Sequence, residues 1–202
     1  FEDTYDLLED LAHDKARLFS VDSLIDEGLI NSKNLIQSIE SFRSGELSQE
    51  AYIESIISAG YVYTYGTFFM NNSTYKTLIQ NGRMQLFPAH IEDKVRDYYE
   101  YVSKRVEDNN HYLDEIAINY YSEHHPYALK IGSFKNKLTQ AQSRSFLNHD
   151  DMLSNYTSLP FYKANIHLKS QIELHGGQIA TYSNMRNEID SLLRDHVGEE
   201  LD

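Results

Sequence analysis

The 202-residue chain has no cysteine, only three prolines and nine glycines, and no apolar run long enough to cross a bilayer. Each absence excludes something. Without cysteine there can be no disulfide, no thiolate zinc site and no cysteine nucleophile. The compartment stays open, because an exported protein with an adequate core needs no disulfide. So little proline and glycine favours long uninterrupted helices over a loop-rich fold. A spanning helix needs roughly 18 or more consecutive apolar residues, and neither that nor a signal-peptide pattern occurs here. Any anchor or export signal is therefore expected outside these residues, and a chain that begins with Phe1 reads as a piece of a longer one. Basic residues are also scarce: 18 Lys and Arg against 31 Asp and Glu give a net charge of −13. Such a surface repels phosphate backbones, so no nucleic acid is expected as a partner.

What remains is patterned apolar sequence, 41% of the chain, enough for one sizeable core and a single domain over 1–202. In the first arm Leu11, Leu18, Ile25, Ser32 and Ile39 lie seven apart. A second series, Leu7, Asp14, Val21, Gly28, Leu35 and Phe42, is offset from it by three. Together they form an a/d seam, widened by Leu8, Leu29 and Ile36, and predict one helix over about 2–43. Asp14, Gly28 and Ser32 are flaws in that seam; Gly28 costs about 1 kcal/mol unless something packs close against it. Packing within the bundle is the simpler account of the seam, and an intermolecular coiled coil is the other.

The stretch from Asn72 to Tyr99 joins the arms. Asn72 and Ser73 suit an N-cap, Tyr75, Leu78 and Ile79 recur at helical spacing, and Gly82 suits the left-handed residue that ends a helix. Asn81-Gly82 is also a hairpin signal, but Lys76 and Thr77 break the alternation a hairpin needs. Upstream, Ser48 caps a short helix carrying Tyr52, Ile56 and Ile57, stopped by Gly60. Tyr61, Tyr63 and Tyr65 alternate like a strand yet lack a partner, so they read as an extended loop, with Phe68, Phe69 and Met70 plugging one end of the core.

Ile91, Val95, Tyr98, Val102, Val106, Leu113, Ile116 and Tyr120 predict a second long helix over about 89–123, ended by His124-His125-Pro126. Residues 127–143 form a polar connection, and Ser145–Asn155 a short helix. Leu168, Ile172, His175, Ile179, Tyr182, Ile189 and Leu193 trace a third long helix over about 159–197. Gly176-Gly177 there marks either a kink or a close approach of another backbone. The fold class is all-α: an elongated antiparallel bundle of three long helices with short capping helices.

No catalytic constellation emerges. Glu123-His124-His125 and His149-Asp150-Asp151 are rich in ligand atoms but lack zinc-protease spacing, and no Glu-x-x-His pair supports a di-iron site. His167 and His175 are expected to pack within the bundle. There is no nucleophile elbow, phosphate-cradling loop or dinucleotide fingerprint. Glu9-Asp10, Glu188 and Asp190 are expected to face solvent. No catalytic residue, metal or cofactor is assigned. The 16 tyrosines, with Tyr98, Tyr99, Tyr101, Tyr120 and Tyr121 clustered, either fill wide gaps or line a pocket or contact surface.

Several of these features resemble the uncharacterised single-pass, membrane-anchored helical proteins of Gram-negative bacteria. The resemblance rests on the acidic, leucine-rich first helix, Ser73, Thr74 and Tyr75 with Leu78, Gly82 and Leu86, the pair Tyr98 and Tyr99, and an ending with Phe161, Asn165, Tyr182, Ile189 and Glu199-Glu200-Leu201. It implies a spanning segment upstream of Phe1 and a helical domain facing the periplasm from the inner membrane. It brings no reaction with it. Two functions follow as expectations: an interaction or scaffolding domain, binding a protein partner or itself, or a bundle that senses a ligand between its helices.

Overall fold

The computed structural model describes residues 2–132 and 137–201, the side chains of 199–201 excepted. Those side chains, and with them Glu199-Glu200-Leu201 of the family-like ending, lie outside the described residues. So do Ser133–Asn136 of the polar connection. The fold is all-helical, with no strand among the described residues. Two compact units divide the chain. The first combines Phe1–Ser23, Gly66–His111 and Gly176–Asp202; the second combines Leu24–Tyr65 and Tyr112–His175.

The seam of the first arm is one helix, α1 (Glu2–Arg43). In the first unit it buries Leu7, Leu11, Leu18 and Val21; in the second it buries Ile25, Leu35 and Ile39. Each such side chain contributes roughly 1.5–3 kcal/mol on burial, which is why the stripe outweighs its polar flaws. Two of those flaws, Asp14 and Gly28, turn out to be contact points. Asp14 and Ser32 are fully buried, and the ring of Tyr63 lies directly on Gly28.

After α2 (Gln49–Ala59), capped by the Ser48 hydroxyl and closed at Gly60, residues 61–72 run without regular structure. The extended-loop reading of the tyrosines holds. Of the three residues expected to plug the core, Phe68 is buried but Phe69 is 66% exposed. Next come α3 (Ser73–Gln80), Gly82 in the left-handed region at φ 66°, and a single 3-10 turn over Arg83–Leu86, so no hairpin forms.

The stripe expected as one helix over 89–123 is helical throughout but not uniform. It comprises α4 (Ala89–Arg96), a π turn at Asp97–Val102, α5 (Ser103–Asn119) and a second π turn at Tyr120–His124. Each π turn holds an adjacent tyrosine pair, Tyr98-Tyr99 or Tyr120-Tyr121, and all four rings are buried. Neighbours on an α-helix point about 100° apart, so burying both of two large rings favours the wider turn.

The polar connection contains α6 (Pro126–Gly132). The single short helix expected over 145–155 is instead two, α7 (Gln140–Leu147), with a capping box on Thr139, and α8 (Asp150–Tyr156). The last helix, α9 (Leu159–Leu201), runs through Gly176-Gly177 without a break. Gly177 meets no neighbour, so a close backbone does not explain it.

Candidate functional site

In the first unit the buried polar centre is built on two carboxylates one helical turn apart, Asp10 and Asp14 of α1. Both were passed over in the sequence: Asp10 as solvent-facing, Asp14 as a defect. They are instead 6% and 0% exposed. Asp10 Oδ1 accepts from the Asn71 side-chain amide at 2.6 Å, and its Oδ2 accepts from the Thr74 backbone N–H at 3.0 Å and from the Ser73 hydroxyl at 3.5 Å. Asn72 makes no side-chain cap, so the N-cap of α3 is supplied by Asp10. Asp14 Oδ1 accepts from the Asn71 backbone N–H at 2.8 Å and Oδ2 from the Tyr98 hydroxyl at 2.9 Å. Burial pushes the Asp14 carboxyl up to about 6, and nearby Asp10 pushes the same way; its two hydrogen bonds and Arg17 pull it down.

Around this centre lie five of the residues that carry the resemblance, Ser73, Thr74, Tyr75, Tyr98 and Tyr99. Ser73 and Thr74 touch Asp10. Tyr75 stacks on Tyr99 at 4.8 Å and donates to Glu100, and Tyr98 crosses Tyr99 edge-on at 5.1 Å. Leu78 is buried on the core face of α3, and Gly82 ends that helix away from the carboxylates. The Tyr99 hydroxyl is buried with no hydrogen-bond partner among the described residues. From α9, buried Arg186 donates to the Leu11 carbonyl at 2.7 Å and to Asp190 at 2.9 Å. Asp190 is thus part of a structural ion pair, whereas Glu9 faces solvent and Glu188 meets Lys94 at the surface.

The second unit buries its polar groups in tyrosine networks. The Gly60 carbonyl can only accept, so His125 Nε2 donates to it at 2.7 Å, and Nδ1 accepts from the Tyr156 hydroxyl at 3.0 Å. That hydroxyl also accepts from the Tyr127 N–H at 2.9 Å. Burial pushes His125 down to about 4, so its ring is neutral at pH 7. Tyr120 donates to Asn165 Oδ1 at 2.8 Å. The Tyr121 hydroxyl accepts from the Tyr63 N–H and donates to the Tyr63 carbonyl, replacing the strand partner that the 61–65 loop lacks. The Tyr63 hydroxyl bonds His175 Nδ1 at 2.9 Å, and burial holds His175 near 4 as well. His175 therefore packs as the sequence indicated, whereas His167, expected to do the same, is exposed on α9.

These groups are poorly placed for catalysis. Burial raises the pKa of each of the networked phenols Tyr52, Tyr98, Tyr120, Tyr121 and Tyr156, so none supplies a phenolate near neutrality. Their hydroxyls serve mainly to satisfy the core. Of the acid–histidine clusters, His125 is sealed inside, His149 is exposed, and no group of three His, Asp or Glu among the described residues could hold a metal. The clefts that open among the described residues of the second unit include an apolar-walled pair. One, of about 250 Å³, is lined by Ile116, Asn119, Tyr120, His124, His167 and Leu168. The other, of about 500 Å³, has Ile36 and Ile166 beside Lys33, Glu40 and Lys169. In the larger cleft Glu40 already accepts from Tyr162, and Lys169 donates to Glu173. No helix of the described residues is long and apolar enough to cross a membrane. The chain matches no protein-family model, no curated protein and no solved structure.

Proposed function

We propose that this chain is an interaction or scaffolding domain rather than an enzyme, with its polar core serving rigidity and its helix surfaces serving contact. The observation that carries the reading is a row of apolar side chains on α9: Leu159, Ile166 and Leu174 are 45%, 40% and 60% exposed. Spacings of seven and eight residues put them on one helix face, where an unpartnered apolar row marks a contact surface. The buried tyrosine networks that tie each unit together support the same reading.

The finer arrangement, three long helices as an elongated antiparallel bundle, belongs to this proposal. So do the spanning segment upstream of Phe1 and the periplasmic placement, which rest on the resemblance alone. The test is site-specific photo-crosslinking in cells from positions 159, 166 and 174. One discrete adduct, lost on Leu174→Asp while the fold is kept, is the expected result. Absence of a discrete adduct from all three positions refutes the reading. The cleft of about 500 Å³ favours a second reading, a ligand-sensing bundle. That reading predicts that a bound small molecule raises the melting temperature and that Ile166→Glu abolishes the rise.

A further inference from the structure

We propose that Asp14, seated beside Asp10, is a proton-controlled latch: one proton taken up by Asp14 fastens the 71–74 corner to α1, and its loss loosens that corner. The geometry carries this. Two carboxylates four residues apart on one helix are both buried and both bind the same asparagine, Asp10 through its side chain and Asp14 through its backbone N–H. Burial and, more weakly, the nearby Asp10 charge both favour the protonated form of Asp14.

Among the described residues, the titratable and charged groups around the pair come from three elements. Arg17 is on α1 itself, Tyr98 and Tyr99 come from the first π turn, and Arg186, which acts on both tyrosines, comes from α9. The two arginines are already engaged, Arg17 by the Phe69 carbonyl and Arg186 by Leu11, Asn187 and Asp190. The proton comes from solvent. Once on Asp14 Oδ2, it reverses the bond to Tyr98, the acid O–H now donating to the phenol oxygen. The Tyr99 hydroxyl, buried and without a partner among the described residues, lies within the electrostatic influence of both carboxylates.

The direction follows from linkage. In the closed corner burial holds Asp14 up at about 6, against 3.8 where it is solvated. The closed form therefore binds the proton more tightly, and acidification closes the latch. Between pH 5 and pH 7.5 the opening equilibrium rises about tenfold.

Amide exchange in the full chain, corrected for the intrinsic rate, reads this directly at Asn71 and Thr74, whose N–H groups bond the two carboxylates. The expected result is a rise of about tenfold in opening at both amides across that pH range, and no rise at Gln142, which is held by the Thr139 hydroxyl. Asp14→Asn should abolish the rise. A flat wild-type profile, or a rise that survives Asp14→Asn, overturns the proposal. Carbon-13 titration of the wild-type Asp14 carboxyl needs no variant: a midpoint near 6 is expected, and one near 4 refutes the latch. Tyr98→Phe removes a donor that favours the charged form and should move that midpoint up; a downward move counts against the assigned bond.

Discussion

Gly28→Ala is the sharpest single test of how the second unit is packed, because two principles disagree about its sign. In a helix interior the change should stabilise by about 1 kcal/mol through propensity. Here the added Cβ would overlap Tyr63 Cδ2 and lie 2.9 Å from Cγ. The neighbour is the body of a ring, not the end of a flexible chain, so the tyrosine must move. Overpacking of this kind costs about 1–3 kcal/mol. A displaced ring also loses its bond to His175, and an unpartnered buried imidazole costs about 1–3 kcal/mol more. The costs outweigh the propensity gain, leaving a net loss centred near ~3 kcal/mol. For a chain of this size that is a fall in melting temperature of roughly 6–12 °C. Thermal unfolding followed by circular dichroism measures it. In a Tyr63→Ala background the clash is gone, so the same Gly28→Ala change should become stabilising by about 1 kcal/mol. A melting temperature unchanged or raised by Gly28→Ala in the wild-type background refutes the reasoning.

Other perturbations separate satisfied from unsatisfied groups. Tyr99→Phe removes a hydroxyl with no partner and should be neutral or slightly stabilising in urea denaturation, whereas Tyr98→Phe takes a donor from buried Asp14 and should cost about 1–3 kcal/mol at pH 7.5. Tyr120→Phe orphans Asn165 Oδ1 and should lower the urea midpoint by an equivalent of about 1–3 kcal/mol. His125 and His175 are held near 4, below their ordinary 6.5, so the unfolded chain binds protons more readily. The second unit should lose stability as pH falls from about 6.5 to 4, opposite in sign to the Asp14 effect in the first unit. Exchange of amides in α8 against pH checks this, and a profile flat over that range contradicts the burial of the two rings.

Much of the helix pattern was legible because it depends on spacing. The seam from Leu7 to Ile39, the Ser48 cap, the Gly82 stop and the Pro126 break all depend on nearest neighbours in the chain. The buried polar groups were not legible for the opposite reason. Asp10 looks like any acidic residue on an amphipathic helix until Asn71 and Thr74, more than sixty positions away, arrive to bond it. Asp14 did leave a trace: a carboxylate on a seam position is either a defect or a partner in a buried network, and spacing alone cannot choose. The π turns were missed because a period of 3.6 fits Tyr98 and Tyr120 but says nothing of Tyr99 and Tyr121, whose burial demands the extra width. Tyr63 supplies the contact that Gly28 was waiting for, and it comes from a loop with no period to read.

The eight-residue α3 has no start signal of its own, since the oxygen that receives its first free N–H comes from α1. A helix so short is marginal in water. Cut out as a peptide, residues 66–87 will be coil. In the chain this helix must wait until the first turns of α1 exist, so a deletion at the amino end will unwind residues that lie some seventy positions downstream.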